Sequence, residues 1–334
     1  MEALPAVPSA VRRVGRSNVW LVDSEERFVL RAHPAWNIGR STLPEPFHSS
    51  GLVALAVAGL GTSASDTVMT RVEHSLEWVH ELLLSLAGAE VIVPVPVPLL
   101  GGRTSRRFGN VLWETLSFVP GVVVGDHATR ALGELGACLA QYHLASTAIS
   151  VRPRPTRTPV DELSTVVDWS QAAATTRDHD AIPALRAMIE HLNEDLGSLG
   201  HADLPRCVLH GDPTAHNMTA CDETHRRVGL IDFDLAYHDP PAADIAFAMW
   251  RTGRPAPGIA RIDADRLTAF VAGYCAIRPL SDVERALIPV YLRARGLQMM
   301  VKRARLGIAD YGPLEQVRWI EANQAALLGA VNAA

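Results

Sequence analysis

Lysine is almost missing from this chain: among its 334 residues only Lys302 is one, and every other basic side chain is arginine. Basic residues do not outnumber acidic ones, 31 against 36, and the formal net charge is −5. That balance lacks the positive excess on which nucleic-acid binding rests, so no nucleic-acid partner is expected. Cysteine is scarce too. Cys138, Cys207, Cys221 and Cys275 are scattered, with no C-x-x-C pair, which argues against a zinc site or a disulfide framework and suits idle thiols in a reducing compartment. The longest apolar run, Gly51 to Gly61, is too short to span a bilayer. The first residues show no basic start followed by an apolar stretch, so no signal peptide is read. The expectation is a cytoplasmic protein with no membrane partner, acting as a monomer or a homodimer.

What is present is ordinary globular composition, 48% apolar and 20% charged, on a chain long enough for two modest domains. Val11, Val14, Val19 and Leu21, then Phe28 to Leu30, predict an antiparallel meander over Ala10 to His33, with turns at Gly15 to Asn18 and Asp23 to Glu26. From Asp66 the pattern turns helical, with Val68, Val72, Leu76, Val79 and Leu83 at spacings of three and four. Strands are predicted near Val91 to Val97 and Asn110 to Phe118. Pro120-Gly121 then marks a boundary between residues 1–120 and 121–334. The second part reads as mostly helical: Ala128 to Ser146, Ala184 to Leu199, Asp263 to Cys275, Ser281 to Leu306 and Pro313 to Val331, with short strands at Cys207 to Leu209 and Val228 to Ile231. A mainly β first part and a mainly helical second part make an α+β protein in two lobes.

The informative stretch is LHGDPTAHN, Leu209 to Asn217, followed by LIDFD, Leu230 to Asp234. Each half sets polar groups directly after an apolar run, at strand ends. Asp212, Asn217 and Asp232 are hard oxygen donors of the kind Mg²⁺ prefers. Phosphoryl transfer needs little else: metal to neutralise phosphates, and a carboxylate to position the attacking hydroxyl and accept its proton. Taken singly, either aspartate is as readily a turn residue; order and spacing favour the chemical reading.

H-G-D-x-x-x-x-N followed by I-D-F-D resembles the aminoglycoside phosphotransferase and choline kinase-like family. DPPAADIA, Asp239 to Ala246, and the helix segment LGACLAQYH, Leu135 to His143, are similar to it as well. The resemblance implies a two-lobed protein-kinase-like fold: a small antiparallel-sheet N-lobe, residues 1–120, that binds nucleotide, and a larger mainly helical C-lobe, residues 121–334, with the catalytic loop, the metal site and the acceptor-binding helices. It implies Asp212 as the catalytic carboxylate, Asn217 and Asp232 as metal ligands, and Mg²⁺ with ATP or GTP as co-substrate. His210 is implied as a brace of the catalytic loop, and Asp234 as a supporting acid. Asp239 and Asp244 are read as anchors of the C-lobe. The segment WETLSF, Trp113 to Phe118, falls where the adenine would bind, near Leu116 and Phe118.

The chain departs from the family pattern where a lysine should hold nucleotide phosphates. Arg31 stands there, in FVLRAH, and an arginine can grip phosphate bidentately. Its acidic partner is expected on the following helix. Ser75 occupies the matching place, with Glu73 and Glu77 two residues to either side. A step of two turns a helical side chain by about 200°, so only one of these faces inward, and Glu73 is preferred. The phosphate-capping loop is reduced to Gly15, Ser17 and Asn18, whose backbone N–H groups would cap phosphate.

The activity so implied is transfer of the γ-phosphate to a hydroxyl of a small molecule. An antibiotic or related natural product, of aminoglycoside or nucleoside type, modified for resistance or self-protection, is the first reading. Asp161, Glu162, Asp168, Asp178, Asp180, Glu190 and Glu194 are candidate acids for a polycation, though Arg152, Arg154 and Arg157 share the region. A primary-metabolism kinase for choline, homoserine or a sugar is the alternative. A nucleotide-binding pseudokinase is a third reading, motivated by the missing lysine.

Overall fold

Valine-, leucine- and aromatic-rich runs punctuated by turn residues build the first sheet, because such side chains pack well on a pleated surface. The computed structural model describes residues 9–14, 18–24, 26–34, 65–99, 101–109, 111–125, 131–151, 181–221, 227–256, 259–305 and 312–334. Two compact units are present. The first comprises residues 1–120 with 149–154 and 230–236; the second comprises 121–148, 155–229 and 237–334. Residues 230–236, which include Asp232 and Asp234, fall in the first unit with the N-terminal sheet.

In the first unit, strands β1 (Ala10–Arg13), β2 (Val19–Asp23), β3 (Phe28–Pro34), β4 (Ser105–Phe108) and β5 (Val111–Ser117) form one sheet in the order β1-β2-β3-β5-β4. All four pairings are antiparallel. The helix α1 (Ser65–Leu86) packs on β4 and β5. It buries Met69, Val72, Leu76, Val79, Leu82, Leu83 and Leu86 on one face, each such side chain stabilising the unit by about 1.5–3 kcal/mol. Leu21, Val22, Phe28, Ala32, Leu112 and Leu116 are buried in the sheet.

The strand expected at Val91 to Val97 is an extended segment with isolated bridges. Pro96 bridges Leu116, and the flanking Val95 and Val97 exchange backbone bonds with Ser117 and Thr115. Pro94, Pro96 and Pro98 have no N–H to give, so a full ladder cannot form.

In the second unit, the long helices α2 (Leu132–Ala148), α3 (Ala181–Ser198), α4 (Ala242–Thr252), α5 (Ala264–Cys275) and α6 (Asp282–Arg305) are joined by α7 (Gly312–Ala322) and α8 (Gln324–Asn332). Two small sheets carry β6 (Val122–Val123), β7 (Cys207–Leu209), β8 (Met218–Ala220), β9 (Val228–Leu230) and β10 (Tyr237–Asp239), ordered β10-β7 and β6-β8-β9. Close approach of α2 and α5 depends on glycine: a Cβ on Gly273 would lie 2.0 Å from the Gly133 carbonyl oxygen, and one on Gly136 would lie 2.1 Å from that of Phe270. The single helix expected over Pro313 to Val331 is broken at Asn323. Its side-chain amide donates to the Trp319 carbonyl at 2.7 Å, satisfying a helix-end acceptor. Helix α4, not anticipated as an element, is buried along nearly its whole length. Among the described residues no helix is long and apolar enough to cross a membrane.

Candidate active site

Strand β7 is fully buried and delivers the chain to His210, Gly211 and Asp212. Gly211 adopts φ 82°, a left-handed conformation natural to glycine. The turn is held from below by Asp244 on α4. Its carboxylate accepts the N–H of His210 at 2.7 Å and that of Gly211 at 3.0 Å. His143 of α2 brings Nε2 within 3.1 Å of the same carboxylate, and its Nδ1 meets the Tyr274 hydroxyl of α5 at 2.8 Å. Asp244, His143 and His210 are completely buried. Burial lowers the pKa of His143, against the opposing pull of Asp244, so the ring is held neutral in the fold. Asp239, the other expected anchor, is likewise buried and takes Arg206 at 2.8 Å. His210 turns its Nδ1 to the Asp212 N–H at 3.3 Å.

Asp212 itself is partly open, its side chain 30% exposed. Asn217, at the end of the short 3₁₀ turn Ala215–Asn217, donates its amide to the Asp212 carbonyl at 2.8 Å and to Oδ2 at 3.3 Å. This spends the nitrogen of Asn217 and turns its Oδ1 away, where it accepts no hydrogen bond among the described residues. The other carboxylate oxygen, Oδ1, accepts from Arg295 Nη2 at 3.0 Å. Arg295 lies on α6, with its guanidinium 4.7 Å over the Phe247 ring and Nη1 on Gln298 at 2.7 Å. Sequence reading missed Arg295, and nothing local to α6 signals it.

The second cluster lies in the first unit. Arg31 on β3 puts Nη1 and Nη2 on the two oxygens of Asp234 at 3.1 and 3.0 Å, and Nη2 on Asp232 Oδ1 at 3.1 Å. Nη1 also stands 3.2 Å from Glu114 Oε1. Glu114 is the residue directly opposite Arg31 in the β3–β5 ladder. It is buried, and its carboxylate is clasped by His33 Nε2 at 2.9 Å and His80 Nε2 at 2.8 Å. Burial alone would lower the pKa of Arg31, but Asp234, Asp232 and Glu114 raise it further than burial lowers it. Burial alone would raise the pKa of Glu114, yet Arg31 and the two histidines hold it well below the usual carboxylate range. Asp234 is buried; Asp232 is 48% exposed. Asp232 has φ 69°, the one non-glycine residue in the left-handed region among the described residues. Aspartate tolerates that conformation better than most residues.

These geometries correct the expectation for the acid that meets Arg31. Glu73 is half-buried on α1 and is not among the carboxylates that Arg31 contacts. The acid is Glu114, supplied by a strand, and cross-strand neighbours that are 83 residues apart leave no helical spacing to find. Ser17 and Gly15 lie outside the described residues. Asn18 stands at the start of β2, where its carbonyl accepts the Ala32 N–H at 2.9 Å. Leu116 is buried in the core, and the Phe118 N–H approaches the Arg27 carbonyl at 3.4 Å. Of the acids expected for a polycation, Glu190 and Glu194 are exposed on α3; the others lie outside the described residues.

The phosphotransferase enzyme family matches residues 11–280. The chain belongs to that family. The phosphotransferase is 30% identical over 224 residues to a protein named homoserine kinase from Azorhizobium caulinodans, a match covering 66% of each chain. It thus spans about two thirds of that relative's length. Among solved structures, a microcompartment-associated aminopropanol kinase superposes with a TM-score of 0.62 at 16% identity, over 97% of this chain and 92% of that one. The GDP complex of aminoglycoside 2'-phosphotransferase-IIIa does so with a TM-score of 0.58 at 14% identity, over 96% and 94%. These likenesses show the fold, which is the α+β, protein-kinase-like one, with an antiparallel N-terminal sheet and a helical C-terminal part. The enzyme class is that of kinases with a hydroxyl group as acceptor.

Proposed function

We propose that this phosphotransferase moves the γ-phosphate of ATP or GTP onto the hydroxyl of a small, carboxylate-bearing acceptor of the hydroxy amino acid type. The supporting observation is Arg295 set against Asp212. Asp212 orients the acceptor hydroxyl and takes its proton; Asn217 and Arg295 hold its two oxygens in place, so the carboxylate is pre-set for the hydroxyl. Arg295 offsets the charge of Asp212, so the pair offers no net negative charge to draw a polycationic acceptor, and the guanidinium could also face an acceptor carboxylate. The relatives named homoserine kinase agree with that chemistry.

Asp232 and Asn217 are the oxygen donors that would hold a hard cation. Asp232 is half-exposed, and its cluster carries two more carboxylates than guanidinium groups. The Asn217 amide oxygen accepts no hydrogen bond among the described residues. Mg²⁺ is commonly held through one or two protein oxygens, phosphates and water. When bound, Mg²⁺ would neutralise the phosphate charge. Arg31 would hold nucleotide phosphate while keeping Asp234 fixed, with the backbone at Ser17 and Asn18 capping phosphate and Leu116 to Phe118 receiving the base.

A second reading, modification of an aminoglycoside- or nucleoside-type antibiotic for resistance or self-protection, is favoured by the exposed Glu190 and Glu194 on α3, which could meet a cationic acceptor. One experiment separates the two. Purified protein is incubated with Mg-ATP or Mg-GTP and pooled acceptors: homoserine and other hydroxy amino acids, choline, simple sugars, aminoglycosides and nucleoside antibiotics. Mass spectrometry looks for a phosphoryl-sized gain that Asp212→Asn abolishes. A gain confined to the hydroxy amino acids is expected. A gain confined to an antibiotic pool overturns the acceptor class while keeping the chemistry. No gain anywhere overturns the kinase reading.

A further inference from the structure

In a kinase that holds nucleotide phosphate with a base on its third strand, an acid on the adjoining helix usually fixes that base and so ties strand to helix. In this chain the acid is on the neighbouring strand, and the Arg31–Glu114 pair by itself connects nothing to α1. Helix α1 nevertheless reaches the pair. His80, buried near the end of α1, places Nε2 2.8 Å from Glu114 Oε2, while its Nδ1 lies 2.7 Å from the Thr104 hydroxyl.

We infer that His80 is a positioning residue, which links α1 to the phosphate-holding Arg31 through Glu114 and thereby takes the place of a helix-borne acid. The inference rests on the nucleotide role proposed above for Arg31. An ionised Glu114 has no proton to give, so the Nε2 of His80 carries the hydrogen and the Thr104 hydroxyl serves Nδ1; the partners on both sides fix the ring. The division of labour on Glu114 is clear. Oε1 faces His33 and Arg31, and Oε2 faces His80. Without His80 the carboxylate can rotate about its last bond, and Arg31 loses the fixed partner at 3.2 Å that orients Nη1. Asp234 and Asp232 would then draw the guanidinium toward themselves.

The test compares His80→Phe, which removes both hydrogen bonds at similar volume, with His80→Gln, whose side-chain amide can still donate to Glu114. Two readouts are taken on the full chain. The first is the ¹⁵N NMR signal of the Arg31 guanidinium, assigned by its loss in Arg31→Lys. The second is steady-state kinetics with nucleotide and acceptor varied in turn. His80→Phe should shift the Arg31 signal and raise the nucleotide KM about tenfold, the size expected for a lost bond to a charged group. The acceptor KM should be unchanged, and His80→Gln should restore most of both properties. An Arg31 signal unmoved in His80→Phe overturns the inference. So does an acceptor KM that rises in step with the nucleotide KM, since that marks general loosening of the fold. If His80→Phe does not fold, His80→Gln and Thr104→Val carry the test, with a smaller shift in the same direction expected of Thr104→Val. Should the wild type bind and turn over no nucleotide at all, the kinase reading fails, and the NMR shift alone decides the positioning claim.

Discussion

The two halves of the proposed chemistry are built on opposite principles. Around Asp212 the second unit uses mostly backbone N–H groups and uncharged donors, with one ion pair to Arg295: Asp244 receives two consecutive amides and a histidine, and a tyrosine hydroxyl backs the histidine. Around Arg31 the first unit uses charge: one guanidinium faces three carboxylates. The first arrangement is held mainly by short, directed hydrogen bonds onto one buried carboxylate. The second depends on a balance that any change of charge upsets, because each buried ion is tolerated only while its partners remain. The comparison teaches that the Asp212 turn is held by directed hydrogen bonds, whereas the Arg31 cluster is held by charges that depend on one another.

Predictions follow from the largest expected effect to the smallest, each aimed at that contrast. Asp212→Asn should lower kcat about a thousandfold with an unchanged melting temperature; activity near that of the wild type would remove Asp212 from the mechanism. Arg31→Met should cost about 3–5 kcal/mol of stability in denaturant unfolding, since Glu114 and Asp234 are left buried and unbalanced. Arg31→Lys should recover part of that loss. Equal stability of Arg31→Met and the wild type would show that the cluster is not held by charge. Asp244→Ala should cost about 2–3 kcal/mol through the stranded amides of His210 and Gly211, measured by the same unfolding experiment. It should lower kcat more than it raises the nucleotide KM.

The smallest effect is pH dependence. The folded-state pKa of His143 is lowered from its ordinary 6.5 by burial. The unfolded chain therefore binds the proton more readily, so the stability this residue contributes is complete above about pH 6.5 and is lost as the pH falls below it. Glu114, also depressed, acts lower on the scale: its contribution is present above the ordinary carboxylate value of 4.5 and disappears only as the pH falls through its still lower folded value. Melting curves from pH 8 to pH 2 should fall first through the His143 range, and His143→Gln should flatten that first descent while leaving the second, at lower pH.

How much was legible beforehand differs between the two clusters for the same reason. Asp212, Asn217, Asp232 and Asp234 sit within two short stretches after apolar runs, so strand-end placement and spacing point to them. Arg31 is found by counting strands. Glu114 and Arg295 are not found, because the contacts that give them meaning join β3 to β5 and α6 to a loop across 83 residues of chain in each case. Glu73 followed from the resemblance, which places the acid on the helix after Arg31; in the structure a strand neighbour directly opposite Arg31 supplies the acid.

By itself the sequence determined the alternation of a β-rich and a helix-rich part and the order of the elements around the HGDPTAHN and LIDFD stretches, since each depends on local periodicity or on residues a few positions apart; those stretches also carry the resemblance to the phosphotransferase family. Tertiary structure alone decided which acid balances Arg31, that Asp232 and Asp234 belong with the N-terminal sheet, that Asp244 and His143 hold the Asp212 turn, and that a cation stands beside Asp212. Those outcomes are set by the register of antiparallel strands and by the packing of distant helices, which no window of neighbouring residues contains.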